Sequence, residues 1–118
     1  MKKFKKETIA SKAGIGSDKH HGSIVPPLYL SSNFEYQKLG EEQEYEYTRE
    51  KNPSRDHLIK ALTELEGGLG GEILSSGMAA ITLVANILDL KSKVILPHDC
   101  YGGTHRLFKS LAEKGILE

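Results

Sequence analysis

The sequence predicts an α/β fold, and three observations predict it. A capped amphipathic helix leads into a short apolar run; strand, helix and strand then follow one another within about 25 residues, the length of one parallel crossover unit. After a further amphipathic helix the last residues, "ILE", open a third apolar run.

The elements can be justified in order. From Met1 to about Arg49 no apolar period is sustained; the segment carries Gly14, Gly16, Gly22, Pro26 and Pro27, then the acidic patch Glu41, Glu42, Glu44 and Glu46. Residues 1–51 therefore read as an extended arm that needs something to lie against, an oligomeric neighbour being one candidate. In "NPSRDHLIKALTELEGG", Asn52 can cap a helix and Pro53 suits its first position, where a missing N–H costs nothing. Leu58, Leu62 and Leu65 recur at helical spacing, and Gly67 supplies a left-handed stop. "EILSS" is too short for a helix and reads as a strand; "MAAITLVANILDL", apolar on most sides, reads as a buried helix, and "VILP" as the second strand. A last helix is expected over "GTHRLFKSLAEK", where Leu107, Phe108 and Leu111 share a face and Gly115 stops it. Parallel sheets are covered on both faces, and these few elements leave much apolar surface uncovered, so residues 52–118 read as the first part of a larger, truncated α/β domain.

Composition narrows the function classes. With 38% hydrophobic and 27% charged residues the 118-residue chain has the make-up of a soluble globular protein. Sixteen basic residues balance sixteen acidic ones, so no global field favours nucleic acid or an anionic membrane. Five of the positive charges lie in Lys2, Lys3, Lys5, Lys6 and Lys12, but no apolar stretch follows them and Glu7 interrupts them; a solvated tail is a better reading than a targeting peptide. The single Cys100 excludes an internal disulfide, and no run approaches the ~20 apolar residues of a membrane span, so a cytoplasmic protein is expected.

The chemistry concentrates in three stretches. "SSGMAAI" places Ser75 and Ser76 at a strand end, with Gly77 and Met78 at a helix N-terminus whose free N–H groups and positive dipole end attract an anion. An ordinary serine cap is the plainer alternative. "YTREKNPSR" sets Tyr47 and Arg49 two apart in a segment expected to be extended, so that both can point the same way and offer a phenol and a planar cation to a phosphate or carboxylate. "PHDCYGGTHRLF" puts Tyr101 just past the second strand, where its face could stack on a planar ring. His20, His21, His98, Asp99 and Cys100 are metal-ligand types without paired spacing, and no metal site is expected; Cys100 reads as a buried spectator, and His57 and His105 as helix-surface residues.

The stretches "VPPLYLSSNF", "YTREKNPSR", "LEGGLGGEILSSGMAAI" and "HDCYGGTHRLF", in this order, resemble the amino-terminal part of the pyridoxal-phosphate enzymes of cysteine and methionine metabolism. The wording of the last tilts the resemblance to the synthase branch, although lyase and sulfhydrylase branches share most of the pattern. The resemblance implies the start of the large cofactor domain of an aspartate-aminotransferase-like fold, with pyridoxal 5'-phosphate as cofactor and O-acylhomoserine and cysteine as substrates. It implies Gly77 and Met78 as phosphate donors and Tyr101 as the ring that stacks on the cofactor and assists proton transfer. Tyr47 and Arg49 match a pair that reaches the neighbouring subunit's cofactor, which implies a homodimer within a homotetramer. Glu46 and Arg106 match positions linked to substrate recognition. Lys51 stands where the family usually has glycine, and "KSK" replaces a Pro-Gly-Asp turn. The lysine that holds the cofactor covalently lies in the family beyond these residues; none of the thirteen lysines here substitutes for it, and the isolated chain is expected to be inactive.

Overall fold

A computed structural model describes residues 4–118, so Lys2 and Lys3 of the basic run lie outside the described residues. Four helices are present among them: α1 (Lys6–Lys12), α2 (Pro53–Glu66), α3 (Gly77–Asn86) and α4 (Gly102–Glu113). The chain divides into two compact units, Met1–Ile73 and Leu74–Glu118. The expected division between an arm ending at residue 51 and a domain starting at residue 52 does not coincide with this packing, because α2 packs with the segment that precedes it.

In the first unit the arm is not simply extended. Helix α1 forms without a side-chain N-cap, but Glu7 in its first turn and Lys12 in its last complement the helix dipole. Its end and the following turn, Lys12 to Ser17, border a cleft shared with His57, Lys60, Ala61 and Glu64 of α2. His57 is therefore half-buried, not a surface residue, and its Nδ1 is buried with no partner. Further on, Asp18 ties a turn by accepting from the N–H groups of His20 (2.9 Å), His21 (3.1 Å) and Ser23 (3.1 Å). This turn folds His20 and His21 edge to face, 5.6 Å apart, where an extended backbone would have pointed them away from each other.

Those donors hold the Asp18 carboxyl well below the usual carboxylate range, the His21 N–H contributing most. A depressed pKa favours the folded turn above the unfolded value of about 3.9 and releases it only as pH falls through the native one. The Asp18 carboxyl carbon resonance should therefore keep its carboxylate position from neutral pH down to about 4 and move only in stronger acid. A midpoint at the ordinary value of about 3.9 would show that the three N–H groups do not hold the carboxylate.

Helix α2 begins and ends where the sequence places it. Asn52 accepts from the Ser54 N–H at 2.9 Å, and Gly67, at φ 69°, closes the helix with its own N–H on Glu64 and that of Gly68 on Thr63. The helix start is also a clamp. Asn52 donates to the Tyr29 carbonyl (3.1 Å) and to Thr48 Oγ1, while the Tyr29 N–H donates to Ser54 Oγ (2.8 Å). Just beyond, Phe34 N–H to Glu46 (3.0 Å) and Thr48 N–H to Ser32 (2.9 Å) pair two stretches of the arm in an antiparallel bridge centred on Asn33 and Tyr47. The Tyr45 ring rests against Phe34, and its hydroxyl donates to Asp56 of α2. Burial first, and the Asp56 carboxylate second, push the Tyr45 phenol up to about 12.

In the second unit, Ser76 caps α3 by accepting from the Ala79 N–H at 3.1 Å, and Gly115, at φ 68°, follows α4 as expected. The two expected strands are corrected: among the described residues neither forms a ladder. A strand is stable only through its neighbours, and residues 72–75 have no backbone partner among the described residues. The second run does pair. Val94 donates to the Glu118 carbonyl (2.7 Å) and Glu118 donates to Ser92 (2.9 Å), the slanted pattern of a parallel pair, which joins "VILP" to the third apolar run. Helix α3 ends at Asn86, short of "ILDL", and is not buried: Ala85 is its one buried residue, with Val84 55% exposed. A unit of this size has too little chain to cover both faces of an apolar helix.

Candidate functional site

The second unit brings two helix N-termini together. Met78, in the first turn of α3, places its Sδ 3.9 Å from Thr104 Oγ1 in the first turn of α4. The Ser76 hydroxyl occupies one of the orphan donors of α3, so the plainer reading of that serine is correct, yet it leaves others free. Among the described residues the Gly77 and Met78 N–H groups have no acceptor, and Tyr101, at the head of α4, gives that helix no side-chain cap. Nothing stands within 4 Å of the point where a Cβ on Gly77 would lie. Two positive dipole ends and several unpaired donors face the same region, a chemistry that suits a phosphate.

The other residues expected in this unit are also there. Tyr101 is 71% exposed, so its ring offers a face to a planar partner. Its edge lies over Gly103 together with the Met78 sulfur. Arg106, one turn into α4, folds back so that Nη1 lies 3.4 Å from where a Cβ of Gly102 would stand, which carries its guanidinium to the helix start. Cys100 is half-buried and free, and among the described residues no group of three or more His, Cys, Asp or Glu converges.

Tyr47, Arg49 and Glu46 belong to the first unit. The Arg49 guanidinium lies over the Tyr47 ring, 4.8 Å from its centroid, so the two do share a side. The cause differs from the expected alternation of an extended segment. Glu50 and Lys51 both donate to the Tyr47 carbonyl, at 3.0 and 3.1 Å, and it is this turn that folds Arg49 back onto the ring. Lys51 takes no positive φ, so a side chain at that position strains nothing in the backbone. Glu46 accepts from the Tyr36 hydroxyl at 2.6 Å, which raises the Tyr36 phenol above its ordinary range.

Sequence reasoning missed Arg55, whose guanidinium donates to the carbonyls of Thr48 (3.3 Å), Arg49 (3.5 Å) and Glu50, fastening the turn that carries Arg49. Its signal was present in "NPSR", where a cation stands at the third position of a helix and one turn from the loop before it. It also missed Gly103, whose only signal was the second glycine after Tyr101.

Comparison with known proteins agrees with this geometry. The family model for Cys/Met metabolism PLP-dependent enzymes matches residues 7–118. The chain is 44% identical over 112 residues to cystathionine gamma-synthase of Escherichia coli, covering 94% of this chain and 29% of that protein. It is 41% identical over 114 residues to cystathionine gamma-lyase of Bacillus subtilis, covering 96% of this chain and 30% of that one. Among solved structures, cystathionine gamma synthase from Xanthomonas oryzae pv. oryzae in complex with cystathionine superimposes with a TM-score of 0.88 at 49% identity, over 97% of this chain and 30% of that chain. The chain thus spans about three tenths of the length of these relatives, and its fold is the opening part of theirs. A match over nearly the whole chain, two helix N-termini with free donors, and an exposed aromatic ring beside them lead to one conclusion: the chain belongs to the Cys/Met metabolism PLP-dependent enzyme family.

Proposed function

We propose that the protein bearing this sequence is a cytoplasmic transferase that makes cystathionine for methionine biosynthesis from cysteine and an O-acylated homoserine such as O-succinylhomoserine. In this replacement the cysteine sulfur bonds to the γ-carbon, the acyl carboxylate leaves with the C–O electron pair, and the thiol proton passes to solvent. The observation that carries the reading is the identity to the synthases of Escherichia coli and Xanthomonas oryzae pv. oryzae, 44% and 49%, against 41% to the γ-lyase of Bacillus subtilis. The identity to the γ-lyase also supports a second reading, elimination in place of replacement, and homoserine sulfhydrylase and methionine γ-lyase activities belong to the same group of alternatives.

Pyridoxal 5'-phosphate, when bound, supplies an electron sink for carbanions. The Gly77 and Met78 N–H groups hold its phosphate, aided by the dipoles of α3 and α4, and the Tyr101 ring stacks on its plane and assists proton transfer. Tyr47 and Arg49 reach the phosphate held by a neighbouring subunit, so a homodimer within a homotetramer is the working unit. Arg106 offers a planar fork to a substrate carboxylate, and Glu46 an acceptor to a substrate ammonium. That all eleven lysines among the described residues are exposed, none in an apolar pocket, supports the reading that the lysine binding the cofactor covalently is not one of them. On this reading the isolated chain has no activity of its own.

The full-length gene product, supplied with O-succinylhomoserine and cysteine, should form cystathionine that disappears when cysteine is omitted. Ammonia and a 2-oxo acid, formed equally well without cysteine, would replace this reading with elimination. For the 118-residue chain, borohydride reduction with one equivalent of pyridoxal phosphate followed by peptide mapping should give only scattered, substoichiometric labelling of the exposed lysines, with no single lysine carrying the cofactor stoichiometrically.

A further inference from the structure

Gly103 lies inside α4 with no positive φ, so its backbone gives no reason for glycine, and helix propensity argues against it. The reason is space. A Cβ on Gly103 would stand 2.6 Å from Cε1 and 3.1 Å from Cδ1 of Tyr101, and 3.0 Å from Met78 Sδ. The first is closer than real Cβ atoms come to a neighbour and the other two are tighter than an ordinary contact, so a side chain at this position must push the ring away and make the thioether give. Gly102, its neighbour, differs: a Cβ there meets only the Arg106 Nη1, at 3.4 Å, an ordinary contact.

We propose that Gly103 is a positioning residue: its missing side chain lets the edge of the Tyr101 ring settle on the first turn of α4 against the Met78 sulfur, which sets the ring beside the free donors of α3. Sulfur at an aromatic edge is a favourable contact, and it gives a largely exposed tyrosine a defined place. That the ring so placed serves pyridoxal phosphate rests on the function proposed above; the placement itself does not.

The two glycines make the test. Met78 is one of two methionines, so its ε-methyl resonance in the 118-residue chain can be assigned with a single variant. In the unaltered chain the Tyr101 ring current should shift this methyl, and Tyr101→Leu should abolish the shift while Tyr101→Phe keeps it. Gly102→Ala should preserve it. Gly103→Ala should remove it while helical content stays equal or rises, because alanine is the better helix former. In the Tyr101→Leu background, Gly103→Ala should then change nothing further. A ring-current shift that survives Gly103→Ala, or is lost equally in Gly102→Ala, overturns the proposal. A separate titration of the full-length protein with pyridoxal phosphate, followed by the phosphorus resonance, bears on the function: no binding by the full-length protein counts against that reading and leaves the ring placement to the methyl shift.

Discussion

Replacing Asn52 by alanine should destabilise the first unit by about 2–4 kcal/mol, combining the loss of a helix cap with a Tyr29 carbonyl left without its donor. The size follows from what the side chain does at 8% exposure, since it accepts from α2 at one end and donates to the arm at the other. Aspartate separates the two roles. If Asn52 were only a cap, Asn52→Asp would be neutral or stabilising, because a carboxylate caps well and suits the helix dipole. As a clamp it should be clearly destabilising, since an acceptor-only side chain would then face the Tyr29 carbonyl. Urea unfolding followed by helical circular dichroism distinguishes these outcomes, and an Asn52→Asp variant as stable as the original would remove the clamp from the account.

Arg55→Met should cost about 1.5–3 kcal/mol and, more tellingly, should loosen one turn. Methionine keeps much of the side-chain length and packing but takes three hydrogen bonds from the carbonyls of Thr48, Arg49 and Glu50. The amides of Glu50 and Lys51, which close the turn on Tyr47, should then exchange at least tenfold faster, while those in the middle of α2 keep their rates. Lysine should rescue only in part, because a single ammonium cannot span three carbonyls. Equal acceleration in both places would mean that Arg55 serves only the overall stability of the unit. In the full-length protein, the function proposed for Arg49 makes the same variant release pyridoxal phosphate more readily.

Much of this molecule was legible in the sequence, and the legible parts share a cause. Asn52, Ser76, Gly67 and Gly115 set the helix limits through bonds or conformations that reach only a few residues along the chain, so residue type and spacing suffice to read them. The anion-binding case for Gly77 and Met78 is of the same kind, because the free donors of a helix N-terminus follow from its covalent geometry. The short helix α1 escaped notice because it has no side-chain cap and no apolar period, only the favourable placement of Glu7 and Lys12.

What the tertiary structure alone decided depends on residues far apart in sequence. It folds the arm back so that residues 32–34 meet 46–48, and it pairs Val94 with Glu118 instead of with the run that precedes α3. It stacks Arg49 on Tyr47 through a turn fastened from α2, and it brings Met78 beside Thr104 so that a single missing Cβ at Gly103 fixes where Tyr101 lies. A pattern of residues reports which groups are available within a helix or a turn. Which distant groups then share a space is settled by packing, where one hydrogen-bond partner or one methyl group is enough to choose between arrangements.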